Sequence, residues 1–134
     1  MSQENVEIVR DYWKAFAAGG LHAVTEFWDP EIDWRAIEGA PDDVGEMHGR
    51  EAVRRYLQDW VDMFEGLTVV AEELLEVEDQ RVVAVIRVSG RAKLSGIETE
   101  LRLAVVNSVR DGKIVRGREY IDREEALEAV GLRD

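Results

Sequence analysis

The stretch that decides the fold is Arg81–Ile121, RVVAVIRVSGRAKLSGIETELRLAVVNSVRDGKIVRGREYI, in which apolar and polar residues alternate through three successive runs. Asp111-Gly112 separates the second run from the third, and this pair is typical of a two-residue hairpin turn. Ser95-Gly96 separates the first run from the second in a similar way. The alternation therefore predicts three long antiparallel strands that are joined by short turns.

Two-residue turns would bring three particular side chains together on one face of this sheet. In that register Arg87 lies opposite Ala104, and Ala104 lies opposite Glu119. The small Ala104 side chain would allow the cation and the carboxylate to meet across the middle strand. An ion pair among apolar neighbours predicts the floor of a pocket. The alternative is a solvated cross-strand pair that contributes little stability.

Helices and further strands are predicted on both sides of this stretch. Their order, α-α-β-α-β-β-β-β-α, predicts an α+β fold in which helices pack on one face of a curved, mostly antiparallel sheet. Apolar residues at helical spacing and cap signals predict the helices, and short alternating runs predict the strands. The predicted elements are a first helix ending at Gly19-Gly20, a short second helix over Leu21–Trp28, a third helix over about Glu51–Phe64, strands Glu31–Ile37 and Leu67–Val77, and a terminal helix from Asp122 to Gly131.

The segment Glu38–Met47 lies between the predicted strand Glu31–Ile37 and the third helix. It contains the turn-forming residues Gly39-Ala40-Pro41 and Asp42-Asp43. We predict that it forms a mobile lid or flap.

The sheet face opposite Arg87 is strongly apolar and too large to remain in contact with water. If the helices cover the Arg87 face, this second face is buried against another copy of the chain, which predicts a homodimer. The alternative is that the faces are swapped and that this one is the core side. The residues of this face are Val82, Ala84, Ile86, Val88, Leu101, Leu103, Val105 and Tyr120.

Size and composition limit the possible functions. A chain of 134 residues predicts one domain over residues 1–134. The net charge of −12 and the lack of a basic cluster argue against nucleic-acid binding. There is no cysteine, the two histidines form no metal motif, and no nucleotide-binding loop is found, so we expect neither a metal nor an organic cofactor. The polar start and the lack of a long apolar run predict a cytoplasmic protein without a membrane partner.

Several short motifs together resemble one known family. In order along the chain they resemble SnoaL-like proteins of the nuclear transport factor 2-like superfamily, which have a cystatin-like fold. The resemblance implies a cone-shaped α+β barrel whose curved sheet wraps around the N-terminal helices and encloses a deep, largely apolar cavity, usually within a homodimer. The motifs are Glu4–Tyr12, Phe27–Trp34, His48–Val53, Arg110–Val115 and Tyr120-Ile121-Asp122.

This superfamily contains ketosteroid isomerases, limonene-epoxide-hydrolase-like enzymes, polyketide cyclases, dehydratases and many members without a demonstrated activity, so the fold does not choose the function. The resemblance to ketosteroid isomerases places Tyr12 where that family carries a tyrosine. The position of the base falls on Arg35 or Ala36, and the second oxyanion donor falls near Ala104. Neither position supplies the required proton chemistry, so steroid isomerisation is not expected.

The resemblance to epoxide hydrolases is closer at one acidic residue. Glu119 matches the second acid of that family, and Arg87 matches its arginine. Ser89 stands where the first aspartate is expected, while the tyrosine and asparagine positions fall near Asp33 and Arg35. Glu119 is therefore a candidate general base, although the charge of Arg87 would oppose this role.

The predicted function is the binding of a small, mainly apolar molecule with one polar or acidic group, in a homodimer. Arg87 is the predicted anchor, and Arg102 is a further candidate anchor; Glu119 would orient Arg87, and Tyr12 would donate a hydrogen bond. The alternatives are a cofactor-free isomerase, cyclase or epoxide-hydrolase-like enzyme with Glu119 or Asp33 as base and Tyr12 as acid, and an interaction module whose cavity is filled by side chains. The further candidate ligand-binding residues are Phe16, Trp34, Trp60, Arg35 and His48. His48 has the alternative role of packing its loop against the third helix.

Overall fold

A computed structural model describes residues 2–38, 45–78 and 80–132 and confirms the predicted α+β fold. Most of the predicted lid falls on residues 39–44, outside the described residues. Two single turns of 3-10 helix, Leu21–Ala23 and Thr25–Phe27, replace the predicted second helix. The elements are α1 Ser2–Gly19, β1 Trp28–Arg35, β2 Glu46–His48, α2 Arg50–Val61, β3 Phe64–Val77, β4 Arg81–Ala92, β5 Glu98–Arg110, β6 Lys113–Tyr120 and α3 Arg123–Ala129.

The six strands form one sheet in the order β2-β1-β6-β5-β4-β3. The β1–β6 pair is parallel, and the other pairs are antiparallel. Helix α1 packs on β3 and β4, while α2 contacts β1 and β2 at one edge of the sheet and β3 at the other. Because one helix reaches both edges, the sheet must curve around the helices. Within the described residues, no helix is long and apolar enough to cross a membrane.

The helices form where the sequence pattern predicts an apolar stripe or a cap. In α1 the residues Val9, Tyr12, Trp13 and Phe16 are all buried against the concave sheet face. The side chain of Asp122 accepts a hydrogen bond from the backbone N–H of Glu125 at 2.9 Å and so caps α3, as predicted.

The hairpin between β5 and β6 has the predicted turn, but its register shifts beyond the turn. Asp111 and Gly112 both have positive φ, 53° and 78°, as a two-residue hairpin turn requires. Val109 pairs with Ile114, whereas Ser108 pairs with Arg116, so β6 contains a one-residue bulge. Each later side chain of β6 therefore points to the opposite face from the one predicted.

The register of the other hairpin also differs from the prediction. Ala92 donates its backbone N–H to the carbonyl of Ile97 at 3.0 Å, so four residues form the loop instead of two. Arg87 consequently lies opposite Arg102, and Ala104 lies opposite Val85. Because this shift is two residues, the side chains keep their predicted grouping by face.

The predicted pairing of Arg87 with Glu119 across Ala104 is therefore wrong. Glu119 lies opposite Val105, and Ala104 lies opposite Tyr120. The bulge carries Glu119 to the concave face and Tyr120 to the convex face. Arg87 remains on the convex face, where the Glu72 carboxylate accepts from its Nε at 2.9 Å.

The predicted dimer face is also corrected, since its strand residues from β4 and β5 form the core side of the sheet. Val82, Ile86, Val88, Leu103 and Val105 are buried in the same cluster as the α1 stripe. The alternative of swapped faces is correct, because α1 and α2 cover this face and not the Arg87 face. On the convex face, α3 covers only part of the sheet, where Ala126 and Leu127 pack in one cluster with three buried strand residues. These residues are Val83, Ala104 and Val106.

Candidate functional site

A cavity of about 200 Å³ lies between the helices and the concave face of the sheet. The interior is thus not filled by side chains. Among the described residues that line this cavity, Glu119 is the only charged one, and most others are aliphatic or aromatic. The lining residues are Tyr12, Trp13, Phe16, Trp34, Ile37, Leu57, Trp60, Val69, Ile86, Val88, Leu101, Leu103, Val105 and Glu119.

Two local periodicities place these side chains in the cavity. Tyr12, Trp13 and Phe16 follow one another at helical spacing on the inner side of α1, and Trp60 is the penultimate residue of α2. Strand alternation gives the aliphatic wall, because alternate residues of β4 and β5 point to the same face. The helical wall of the cavity is therefore mainly aromatic, and the sheet wall is mainly aliphatic.

The Glu119 carboxylate is half-buried and is held by hydrogen bonds at both oxygens. The indole Nε1–H of Trp34 donates to Oε2 at 2.9 Å, and the hydroxyl of Tyr56 donates to Oε1 at 2.9 Å. These donors come from β1 and α2, so the tertiary fold orients the carboxylate. Hydrogen bonds to both oxygens favour the charged form of the carboxylate.

Gly117 provides the space that this arrangement needs. It lies opposite Trp34 in the parallel β1–β6 pair. A Cβ atom at this position would overlap Cζ3 and Cε3 of the Trp34 indole and would lie 2.8 Å from Cη2. Only glycine therefore leaves the indole in the position from which it donates to Glu119.

Tyr12 contributes a buried hydroxyl to the same cavity. Its oxygen accepts a hydrogen bond from the indole Nε1–H of Trp28 at 3.3 Å. Burial raises the pKa of Tyr12 far above its usual range, and the negative charge of Glu119 raises it further. Tyr12 can thus donate a hydrogen bond to a ligand, but it is a poor source of a transferred proton.

Asn107 supports the aromatic wall from behind. It is fully buried, and its Oδ1 accepts a hydrogen bond from Trp13 Nε1–H at 3.3 Å. Its Nδ2 has no hydrogen-bond partner among the described residues. This contact holds Trp13 in the lining of the cavity.

Five of the predicted site residues come together in the cavity: Phe16, Trp34 and Trp60 as lining residues, together with Tyr12 and Glu119. Sequence reasoning missed two contributors, Tyr56 and Asn107. Tyr56 was recognisable only as part of the apolar stripe of α2, although the polar tip of a half-buried tyrosine commonly has a hydrogen-bond partner. Nothing in the local pattern marks Asn107.

The two predicted arginine anchors lie on the convex face, outside the cavity. Arg102 Nε donates to Glu72 Oε1 at 2.8 Å, and Arg87 Nε donates to Glu72 Oε2 at 2.9 Å. Side-chain hydrogen bonds from Arg102 and then from Arg87 lower the pKa of Glu72. These residues therefore form a surface ion-pair group and are not lining residues of the cavity.

The remaining predicted residues also lie on the convex side, because strand alternation turns them away from Trp34. His48 Nδ1 lies 2.6 Å from Asp33 Oδ1, and its Nε2 lies 3.0 Å from Glu31 Oε1. The hydrogen bond with Asp33, and then that with Glu31, raises the pKa of His48. Arg35 pairs with Glu38 at 3.7 Å. Within the described residues, no group of three acidic or histidine side chains could hold a metal ion.

The SnoaL-like domain family matches residues 9–117, so the chain belongs to this family and the resemblance is confirmed. Comparison with proteins of curated function found no match.

Solved structures share the fold. A nuclear transport factor 2-like protein from Burkholderia xenovorans is 27% identical with a TM-score of 0.70, over 97% of each chain. TerC, co-crystallised with polyporic acid, is 21% identical with a TM-score of 0.73, over 95% of this chain and 97% of TerC. A protein from Catenulispora acidiphila with a ketosteroid isomerase-like fold, in complex with trimethylamine, is 20% identical with a TM-score of 0.71, over 94% of this chain and 93% of that one.

Proposed function

We propose that the protein binds a small, mainly apolar molecule in the cavity between its helices and sheet. The observation that carries this proposal is a cavity of about 200 Å³ with apolar walls and one oriented carboxylate, Glu119. An apolar protein cavity of about 150 Å³ accommodates benzene. The expected ligand is therefore about the size of one substituted ring.

Two relatives support the binding of a small molecule without identifying it. TerC was crystallised with polyporic acid, and the Catenulispora protein was crystallised with trimethylamine. Because one molecule is an acid and the other is an amine, these two relatives do not indicate which charge the ligand of this protein carries.

The residues proposed to contact the polar group of the ligand differ from those predicted from the sequence. Arg87 lies on the convex face, so the predicted anchor is outside the cavity. Glu119 and Tyr12 are the polar lining residues that the cavity offers instead. We propose that they hold the polar end of the ligand.

The test is a titration with toluene, cumene and benzyl alcohol, followed by tryptophan fluorescence and thermal stability. Trp13, Trp34 and Trp60 line the cavity, so occupancy should change the emission. Leu101→Trp adds an indole to the cavity wall and should abolish binding. Leu132→Trp, beyond α3 at the exposed end of the described chain, should not. Failure of all three ligands to bind to the unmodified protein contradicts the proposal, and we expect a chelator to have no effect.

A second candidate function is cofactor-free proton transfer with Glu119 as base. The observation that favours it is the fixed carboxylate beside the buried hydroxyl of Tyr12. Glu119 would take a proton from a carbon next to a carbonyl, Tyr12 would donate a hydrogen bond to the enolate oxygen, and the proton would return to carbon.

Deuterium exchange into the methyl group of acetophenone in D₂O, measured by NMR, tests this second function. Catalysed exchange that is lost in Glu119→Gln and kept in Glu128→Gln supports it. Exchange at the uncatalysed rate in the unmodified protein contradicts it.

We also propose that two copies of the chain associate, through a surface other than the face predicted from the sequence. The convex face is only partly covered by α3, and Val70 is 37% exposed there. Sedimentation equilibrium of the unmodified protein and of Val70→Asp tests this. A monomer at micromolar concentration in the unmodified protein contradicts it.

A further inference from the structure

We propose that the ligand is an organic ammonium ion that carries an apolar group of about single-ring size. This inference rests on the proposed function, because it names the ligand class for the same cavity. Three observations carry it: a single oriented carboxylate, a surrounding group of aromatic rings, and the lack of a cationic side chain among the described lining residues.

The electrostatic interaction with Glu119 differs between an anionic, a neutral and a cationic ligand. An anion placed beside the Glu119 carboxylate would be repelled, and in an apolar cavity this repulsion is weakly screened. A neutral apolar ligand would remove water from the carboxylate and replace it with nothing equivalent. A cation replaces the lost water with an opposite charge, so its own desolvation is offset by Glu119.

The aromatic lining favours a cation for a separate reason. The faces of aromatic rings carry a negative quadrupole and attract ammonium groups within about 6 Å, with tryptophan the most effective. Trp34 touches Glu119 directly, and the charge of Glu119 acts on Tyr12, so aromatic rings lie next to the carboxylate. Trp13 and Phe16 extend the same wall, with their ring centroids 5.9 Å apart.

The aliphatic wall defines the rest of the ligand. Val105 lies directly opposite Glu119 in the sheet, and Leu103, Ile86 and Val88 continue the apolar surface along β5 and β4. A ligand with a charged end and an apolar end can therefore place its ammonium group at Glu119 and its ring against these side chains. An ammonium ion without an apolar group would leave this wall uncovered.

Three probes of nearly the same shape test the inference: benzyltrimethylammonium, the neutral alcohol benzyldimethylcarbinol, and the anion α-benzylisobutyrate. Binding is measured by calorimetry and tryptophan fluorescence on the intact protein. We expect the ammonium probe to bind about tenfold more tightly than the alcohol or better, and the anion not to bind.

Two variants assign the preference to the cavity. Glu119→Gln keeps an oxygen for the Trp34 indole and an amide for Tyr56, so the fold should survive while the charge is removed, and the preference should disappear. Glu128→Gln makes the same charge change on α3, which packs on the convex face, and should keep the preference. The preference should also persist at high salt, unlike general attraction to a chain with a net charge of −12.

Each outcome decides between the two proposals. If the alcohol binds as tightly as the ammonium probe, or if Glu119→Gln leaves the preference unchanged, the ammonium inference is overturned and the proposed function stands. Binding of toluene or cumene without binding of the ammonium probe would likewise overturn the ammonium inference and leave the proposed function standing. If no probe and no apolar ligand binds, the proposed function fails, and this inference fails with it.

Discussion

Gly117→Ala should damage the site through a single methyl group. The added Cβ overlaps the Trp34 indole, so the ring must move and its hydrogen bond to Glu119 must lengthen or break. Overpacking of this kind costs about 1–3 kcal/mol, and the loss of a hydrogen bond to a charged group costs about 1.5–3 kcal/mol. Replacing glycine in the unfolded chain returns about 0.4–1 kcal/mol. We expect the free energy of unfolding to fall by about 1.5–5.5 kcal/mol.

Urea unfolding followed by circular dichroism measures this loss, with Gly90→Ala as the matched control. Gly90 is also a strand glycine, but a Cβ there would meet its nearest neighbours, the carbonyl oxygen of Glu65 and the Cα of Leu67, at 3.3 Å. The free energy of unfolding of Gly90→Ala should differ from that of the unmodified protein by about 1 kcal/mol or less. Adding Trp34→Phe should recover part of the loss in Gly117→Ala, because phenylalanine lacks the outer edge of the indole. Equal stability of the two glycine variants would refute the position of Trp34 and with it the geometry of the site.

Four further measurements test other parts of the structure. Arg87→Met should lower the free energy of unfolding by about 1 kcal/mol or less, because its ion pair lies on the convex face; a loss of several kcal/mol would return Arg87 to a dry site. Leu103→Ala should cost about 2–5 kcal/mol at every protein concentration, since Leu103 packs inside one chain, whereas a loss that varies with concentration would indicate an interface. NMR titration of His48 should give a pKa above the ordinary value of histidine, mainly because of the hydrogen bond with Asp33. The stability from this contact should therefore be present in acid and be lost as the pH rises through the pKa of His48. Asp33→Asn should remove the shift of this pKa. In an ultraviolet titration of the folded protein, Tyr12 should stay protonated well above pH 10, and the folded state should lose stability above about pH 10, where the unfolded chain releases this proton. Ionisation of Tyr12 near the ordinary pKa of tyrosine would contradict its burial.

The elements that could be predicted are those that a short stretch of sequence specifies. The Asp111-Gly112 turn, the apolar stripe of α2 and the Asp122 cap of α3 depend on residues at most a few positions apart. The 3-10 turns that replace the predicted second helix show the limit of this reasoning. Apolar spacing over Leu21–Trp28 does not distinguish one short helix from two separate turns.

The register of the sheet could not be predicted from the same signals. A bulge leaves one residue unpaired and turns the later side chains of its strand to the opposite face of the sheet. Whether its free-energy cost is offset depends on how the whole strands pack. In β6 this single extra residue moves Glu119 into the cavity and separates it from Arg87. The predicted residues Tyr12, Phe16, Trp34 and Trp60 remained at the site because their inward direction does not depend on that bulge.

The sequence by itself determined the α+β class and the aromatic stripe of α1, because periodicity and residue type encode them locally. The tertiary structure alone decided which sheet face is inside, which donors hold Glu119, and which cation is excluded from the cavity. Alternation groups side chains by face but does not say which face the helices cover. The hydrogen bonds that join Glu119 to Trp34 and Tyr56 span 85 and 63 residues, and only the curvature of the complete sheet brings such distant groups together.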